Sequence, residues 1–267
     1  MRLSPFNSLR FKSVPDCHGQ IFAPSDHIRI EAFGAMGECI DNLLLTLSDA
    51  TEIELEWSVF EINSEDAVWI YELRDLESGV YTLRFGSLSA TFEVTDDEES
   101  LADTVLIQYA MSDNRQRRDI YSNIAGGIRY FDFRLPGGFQ DKDWSFGVEG
   151  EQFETDRSDP VDLSSREFVR KILTLGGCDG LPQWAAEKVN AIFTCDLTFV
   201  DGIRYSLAGE MENIASDVDG KRFVYLLPLR EAPYMGVEFE AFIRLYLRRT
   251  PSHYRTAKDN HLRAYKK

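Results

Sequence analysis

The sequence lacks the features that mark membrane-spanning and secreted proteins. No run approaches the ~18 consecutive apolar residues that a helix needs to cross a bilayer. The first residues, MRLSPFNSLRFKSVPDC, contain the early Arg2 but no apolar core of a signal peptide. These absences predict a chain with no signal peptide and no membrane insertion, which is made in the cytosol.

Cysteine and histidine are also scarce. The four cysteines, Cys17, Cys39, Cys178 and Cys195, form no C-x-x-C pair and match no zinc-site spacing. The four histidines, His18, His27, His253 and His261, show no metal-ligand spacing either. We therefore expect no metal and no cofactor. Reduced thiols are expected in the absence of a secretion signal, with Cys195 buried on an apolar strand face.

Basic residues are in deficit, 29 against 45 acids, for a formal net charge of −16. The exception is the segment 244–267, where eight lysines and arginines face the single acid Asp259. An acidic body repels nucleic acid and anionic membranes, so neither is expected as a partner. The basic tail suits an acidic neighbour, such as a second copy, and its candidate interface residues are Arg244, Arg248, Arg249, Arg255 and Arg263. A solubilising, poorly ordered terminus is the alternative.

The first hundred residues contain short segments rich in β-branched and aromatic residues. In EIELEWSVFEI, Ile53, Leu55, Trp57 and Val59 alternate with polar residues, which predicts one strand with these four side chains facing a core. GVYTLRFGSLSATFEV predicts a hairpin whose two-residue turn is type II′, with Gly86 at its first central position. Together these patterns predict an Ig-like β-sandwich over residues 1–98, bounded by the acidic run TDDEES at 95–100.

Residues 99–243 are predicted to form an α+β domain, in which a short helix packs on an antiparallel sheet. Pro182 suits a first helical turn, and the apolar stripe that follows comprises Ala185, Val189, Ile192 and Phe193. REFVRKILTLGG is ambiguous, but its β-branched content favours a strand. The Pro136-Gly-Gly sequence predicts a strand end and a turn, and DWSFGVEGEQFETDRSDPVDL predicts short strands separated by polar turns.

Two registers are possible for the turn in VDGIRY, and they differ in which apolar side chains share one face. A three-residue loop pairs Phe199 with Ile203, whereas a loop of Asp201 and Gly202 alone pairs Val200 with Ile203. The first register collects the large apolar groups, so we predict a G1-bulge hairpin with Gly202 at positive φ.

No pattern of catalytic residues stands out. The sequence has no Gly-x-Ser-x-Gly elbow, phosphate loop or dinucleotide fingerprint. A calcium-like loop starting at Asp217 has Pro228 where a bidentate Glu belongs. The carboxylates of Glu149, Glu151, Glu154 and Asp156 cluster, but such density is expected by chance in a chain with 45 acids. We therefore expect no catalytic residues.

The order of segments SDNRQRRD, FDFRLPGGF, WSFGVEGEQF, LTLGG, GLPQWAAEKVNAI and FVDGIRY, over residues 103–230, resembles a family of virion proteins. These tail- or baseplate-associated structural components are encoded by phages and prophages of Bacteroides-type bacteria. The resemblance implies a non-enzymatic protein that assembles in the host cytoplasm and then resides in the virion. It also implies contacts with copies of itself and with other virion proteins. The basic extension after about residue 240 departs from the family's pattern.

Two other functions remain as alternatives. A carbohydrate-binding β-sandwich at a cell surface would expose Trp57, Trp69 or Trp144 as a sugar-stacking platform. A glycoside-active enzyme would instead need a cleft with two carboxyl groups, about 5 Å apart in retaining enzymes.

Overall fold

The computed structural model describes residues 1–13, 19–47, 49–154, 160–177, 179–216 and 222–232. For the strand residues 141–143, 149, 151–154, 160–166 and 214–216 it describes the backbone alone.

The described residues of the N-terminal part of the chain form nine strands. They are β1 (Arg2–Leu3), β2 (Gln20–Phe22), β3 (Ile28–Ala35), β4 (Leu43–Thr46), β5 (Glu52–Leu55), β6 (Ser58–Glu61), β7 (Asp66–Leu73), β8 (Gly79–Phe85) and β9 (Leu88–Val94). One sheet has the order β1-β3-β7-β6 and the other β2-β9-β8-β4-β5. A single hydrophobic cluster draws on both sheets, with Ile30 from the first and Leu83 and Phe92 from the second. We call these nine strands the double sheet.

The hairpin predicted at Gly86 is confirmed in its register. Phe85 pairs with Leu88, Leu83 with Ala90 and Tyr81 with Phe92. A type II′ turn has positive φ at its first central residue only. Gly86, the first central residue, has a φ of 56°, and Ser87, the second, does not have a positive φ.

The prediction of one continuous strand through EIELEWSVFEI is wrong. β5 and β6 lie in different sheets, because the chain crosses from one sheet to the other at Glu56 and Trp57. Leu55 is buried and Trp57 is half-buried, as expected, but Ile53 and Val59 are exposed. The alternation of apolar and polar residues continues through Glu56 and Trp57, so it does not show where the chain passes from one sheet to the other.

The remaining elements begin inside the acidic run, where Asp97 caps a short helix by accepting a hydrogen bond from the Ser100 N–H. They are α1 (Glu98–Ala102), β10 (Thr104–Ala110), β11 (Asn123–Ile124), β12 (Gly127–Ile128), β13 (Phe131–Glu154), β14 (Pro160–Leu175), β15 (Leu181–Pro182), α2 (Gln183–Ile192), β16 (Leu197–Val200), β17 (Ile203–Leu207), β18 (Glu212–Ser216) and β19 (Arg222–Glu231).

Six of these strands pair antiparallel in a closed circuit, which we call the strand ring. The order is β14-β13-β10-β16-β17-β19, and β19 pairs back to β14 through residues 170–175 and 225–230. Ile107, Phe133, Leu173 and Leu227 supply the hydrophobic cluster of the strand ring. The sheet predicted for this region is therefore antiparallel, as expected, and closes on itself.

The predicted helix is confirmed as α2, and Pro182 precedes it as the N-cap in an extended conformation. Ala185, Val189 and Ile192 are fully buried in the cluster of the strand ring, and Phe193 packs against it. The 3.6-residue spacing of these side chains explains why one helix face seals against the strands.

The strand predicted in REFVRKILTLGG is also confirmed, but the turn at Pro136 is wrong. β13 runs through Pro136-Gly137-Gly138 and changes partner there, from β10 over residues 131–136 to β14 from Gly137 onward. A Cβ on Gly137 would lie 2.4 Å from the carbonyl oxygen of Thr174, so this glycine permits the close approach of β14. The predicted short strands over residues 143–163 are wrong where the structure describes this region, because β13 continues to Glu154 and the long strand β14 begins at Pro160. Residues 155–159 lie outside the described residues.

The three-residue loop in VDGIRY is wrong as well. Val200 pairs with Ile203, and Asp201 and Gly202 have φ of 48° and 79°, which is the geometry of a type I′ turn. Every residue of β16 is buried, so this strand has no solvent-exposed face, and gathering the apolar side chains on one face does not determine the register. Asp201 also pairs with Leu106 of β10: its N–H donates to the carbonyl, and its Oδ1 accepts from the N–H at 3.0 Å.

We predict that Asp201→Ala lowers the free energy of unfolding by about 1 kcal/mol more than Asp75→Ala, because a carboxylate hydrogen bond to a backbone N–H is lost. Asp75 is the matched control, since it is exposed and has a similar φ of 51°. Urea denaturation measures both variants. Equal losses would show that the left-handed backbone alone, and not the bond to Leu106, makes Asp201 stabilising.

Candidate functional site

The outer half of the β13–β14 hairpin extends past the strand ring. β13 and β14 stay paired from Trp144 and Lys171 to Glu154 and Pro160. β19 covers β14 only over residues 170–175, and β10 covers β13 only up to Pro136. Among the described residues, no other strand pairs with 144–154 or 160–169, which we call the arm. Ten residues of extended strand give the arm a length of about 30 Å.

An irregularity at the base of the arm decides which side chains share a face. Between the pairs Phe139–Leu173 and Trp144–Lys171, the chain advances five residues along β13 but two along β14. Such a bulge re-aims the side chains that follow it. As a result, Trp144 lies on the same face of the ladder as the core residues Phe139 and Leu173.

Three apolar side chains line this face of the arm beyond the core. Trp144, Phe146 and Val148 are 52, 73 and 73% exposed, and we call them the apolar row. The rings of Trp144 and Phe146 meet edge to face, with centroids 4.9 Å apart. Single exposed apolar residues are common, but a contiguous row marks an interaction surface.

The opposite face of the arm has a different character. A Cβ on Gly147 would lie 2.4 Å from the ring of Phe168, so that ring packs directly over the glycine. The guanidinium carbons of Arg170 and Arg230 lie 5.9 and 4.9 Å from the centroid of the Phe168 ring. Cation–π contacts and the glycine therefore cover Phe168, whereas no described group covers the apolar row in this way.

The site residues predicted from the sequence are dispersed. Arg244, Arg248, Arg249, Arg255 and Arg263 lie outside the described residues. Gly86, Asp201 and Gly202 form turns, as described above.

The three tryptophans do not form one exposed row. Trp69 is buried, and Trp57 is half-buried with its indole N–H donating to the carbonyl of Asp41. Trp144 belongs to the arm.

The described residues contain no group of three or more His, Cys, Asp or Glu arranged to hold a metal ion. Cys195 is buried, as expected, but it lies in the bend between α2 and β16 and not on a strand, so that part of the prediction is wrong. Burial raises the pKa of its thiol to about 12, so it stays protonated at neutral pH. Cys39 is exposed and free. Cys17, Cys178, His18, His253 and His261 lie outside the described residues.

The acidic cluster and the calcium-like loop predicted from the sequence fall mostly in undescribed parts. Asp156 lies outside the described residues, and the side chains of Glu149, Glu151 and Glu154 are not among those described. Asp217 also lies outside the described residues.

A buried ion pair joins the double sheet to the segment between β10 and β13. Arg29 and Glu31 of β3 are fully buried and contact each other at 2.7 Å. Arg29 also donates to the carbonyls of Tyr121 and Arg129, while Glu31 accepts from the Tyr121 N–H. Burial raises the pKa of Glu31 to about 7, against the opposing effect of Arg29.

A second buried carboxyl group lies at the same junction. Asp132 of β13 accepts from the His27 N–H at 2.8 Å and from the Gln108 side chain at 2.9 Å. Burial, together with the neighbouring Asp26, raises the pKa of Asp132 to about 7. Asp26 itself forms a two-bond ion pair with Arg134. Asp26 and Asp132 are only 4 and 2% exposed, so this pair of acids offers no surface to a substrate.

The buried amine of Lys188 fastens α2 to the N-terminal segment. Its Nζ donates to the carbonyls of Asn7 and Ser8 and lies 4.1 Å from the centroid of the Phe133 ring. Burial lowers the pKa of Lys188 to about 7, and Arg10 adds to the effect. These charged groups hold the molecule together and show no arrangement of nucleophile, base and open pocket.

Sequence reasoning missed both Phe146 and Val148. The signal was present, because WSFGV alternates apolar and small or polar residues with a period of two. The prediction of short strands separated by polar turns did not treat this alternation as part of one long strand. Arg29 and Glu31 gave no such signal, since their alternation with Ile28 and Ile30 is typical of a solvent-facing side.

Comparison with known proteins gives no relative: the sequence matches no protein-family model, and no curated protein is detectably similar to it. Neither helix of the described residues, with five residues in α1 and ten in α2, has the length and apolarity to cross a bilayer.

We predict that Asp132→Asn makes stability less dependent on pH. The folded-state pKa of about 7 lies above the ~3.9 of an unfolded Asp, so the native state binds the proton more tightly. The stabilisation from this group is complete below about pH 4 and is lost as the pH rises through about 7. Unfolding free energies measured from pH 4 to 8 should therefore fall less steeply with pH in Asp132→Asn than in the wild type.

Glu93→Gln is the control for this measurement, because Glu93 is an exposed carboxyl group on β9. It should leave the slope unchanged. A wild-type slope retained in Asp132→Asn would contradict the assignment of a buried proton to this carboxyl group.

Proposed function

We propose that the chain is a non-enzymatic structural component of a phage or prophage particle, in the tail, tail tip or baseplate. It acts by self-association and by contacts with other virion proteins. The proposal includes an Ig-like double sheet as a separate domain at residues 1–98, an assembly domain at 99–243 and a basic tail at 244–267. It also places the protein in the host cytoplasm during assembly and afterwards in the virion.

The apolar row carries this proposal. Isolated two-stranded ribbons are only marginally stable in water, so an arm of this length gains stability when its apolar face is covered. Fully burying a Val or Phe side chain contributes roughly 1.5–3 kcal/mol. Uncovered, the row of Trp144, Phe146 and Val148 leaves this stabilisation unused. Such an exposed apolar surface is expected in a protein that functions by binding neighbouring subunits.

The charge of the chain favours protein partners over nucleic acid. At a formal net charge of −16, the body repels phosphate backbones and does not concentrate them. The resemblance in segment order over residues 103–230 supplies the context of a virion, where repeated copies meet at high local concentration.

A second candidate function is carbohydrate binding, and the exposure of Trp144 is the observation that favours it. An indole beside a second aromatic ring, here Phe146, can stack on a sugar face. Titration with oligosaccharides while tryptophan emission is recorded separates the two functions. A saturable change that Phe146→Ala abolishes, with Trp144 retained as the reporter, would favour carbohydrate binding, and no change in the wild type would argue against it.

We predict that Val148→Ser weakens self-association of the full chain by at least about tenfold, because a buried apolar contact is lost from each copy. Sedimentation velocity over a range of concentrations measures the dissociation constant. Val80→Ser is the matched control, since Val80 is also an exposed valine on an antiparallel strand, 51% exposed on the double sheet. The control should associate like the wild type. A wild-type chain that stays monomeric at high concentration and binds no other virion protein would contradict the proposed function.

A further inference from the structure

The face of the arm that carries the apolar row consists of three cross-strand pairs. Paired residues of an antiparallel ladder lie on the same face, so each member of the row has a neighbour on β14. The pairs are Trp144 with Lys171, Phe146 with Val169, and Val148 with Glu167. The face therefore has the basic residue Lys171 near the strand ring, apolar residues at its centre, and the acidic residue Glu167 toward the tip.

From this pattern we infer that the arm binds the same arm of a second copy of this chain, face to face and antiparallel. The inference rests on the proposed function and names the surface and the partner through which self-association occurs. A two-fold axis passes between the two Phe146–Val169 pairs. Because such an interface is isologous, every contact occurs twice.

Charge complementarity argues for this arrangement. The two-fold axis places Lys171 of one copy opposite Glu167 of the other, and Trp144 opposite Val148. Two opposite charges then meet at each end of the interface, while apolar side chains meet between them. Lys171 already pairs with Glu231 of its own chain at 2.6 Å, and one third of its side chain is exposed. An ammonium group has three N–H donors, so this pairing leaves donors for a second carboxylate.

The other two-fold arrangement, with the axis along the strands, fits less well. It would place Glu167 of one copy opposite Val148 of the other, so that a charge loses water without gaining a partner. It would also bring both strand rings to the same end of the joined arms. The antiparallel arrangement places the strand rings at opposite ends.

The size of the face sets the strength of the contact. At ~150–250 Å² for each aromatic side chain, two apolar rows bury on the order of 600–900 Å² in total. Stable protein–protein interfaces bury about 1,200–2,000 Å². A pair of arms alone therefore gives a weak dimer, with a dissociation constant in the micromolar range or above, which repetition in an assembly would strengthen.

Charge exchange tests the register of this contact. Lys171→Glu places two carboxylates opposite each other at both ends, and Glu167→Lys places two ammonium groups there. Each variant should dimerise about tenfold more weakly than the wild type, because both attractive pairs become repulsive. The double variant, Lys171→Glu with Glu167→Lys, should restore wild-type affinity. An equimolar mixture of the two single variants should also form a heterodimer. Sedimentation velocity at low salt measures all four.

Glu231→Gln is the control, since it removes the partner of Lys171 within the chain and leaves the charges of the interface in place. It should dimerise as well as the wild type. If the double variant stays as weak as the single ones, the antiparallel register is wrong, while self-association through the apolar row stands. If none of the charge variants changes the affinity but Val148→Ser does, the apolar row takes part in association. Lys171 and Glu167 then do not meet across the interface, and the antiparallel arrangement is wrong. A wild-type chain that is monomeric at every concentration overturns the inference. The proposed function is overturned only if that chain also binds no other virion protein.

Discussion

The antiparallel ladder between β13 and β14 is the interaction on which the rest of the structure depends. Its inner part, from Gly137 to Phe139, closes the strand ring, because β14 then reaches β19 on its other side. Its outer part leaves the ring and becomes the arm. The glycine at 137 allows the two backbones to approach, and the bulge that follows turns Trp144 to the face of the core. One hairpin therefore supplies both the closure of the fold and the only contiguous apolar row identified among the described residues.

Buried charges, and not only apolar packing, join the two halves of the molecule. Arg29 and Glu31 lie on β3 but direct their hydrogen bonds to backbone groups of Tyr121 and Arg129. Removing one partner of such a pair leaves an uncompensated buried charge, which costs more than the pair contributes. The contact thereby fixes one relative placement of β3 and the segment before β13.

The sequence predicts the local parts of this structure and fails where contacts are distant along the chain. The hairpin at Gly86 and the stripe of α2 depend on neighbours within a few residues, so spacing alone determined them. The turn at Asp201 was wrong because β16 is buried on both faces, which depends on what packs around it. Arg29 and Glu31 alternate with apolar residues, which is typical of solvent-facing side chains, but the segment packed against β3 buries them. The candidate site lies between these cases: WSFGV shows the alternation of a strand, but only the three-dimensional ladder shows that Phe146 stays 73% exposed.

Photo-cross-linking from the centre of the apolar row tests the central claim most directly. The full chain is prepared with p-benzoylphenylalanine in place of Phe146, which keeps an aromatic group at that position, and is irradiated at a concentration where the wild type associates. If two arms bind face to face, cross-links form between two copies and map by mass spectrometry to residues 144–148 or 167–171. Cross-links confined to the same chain, or intermolecular cross-links that map to the double sheet, would contradict it.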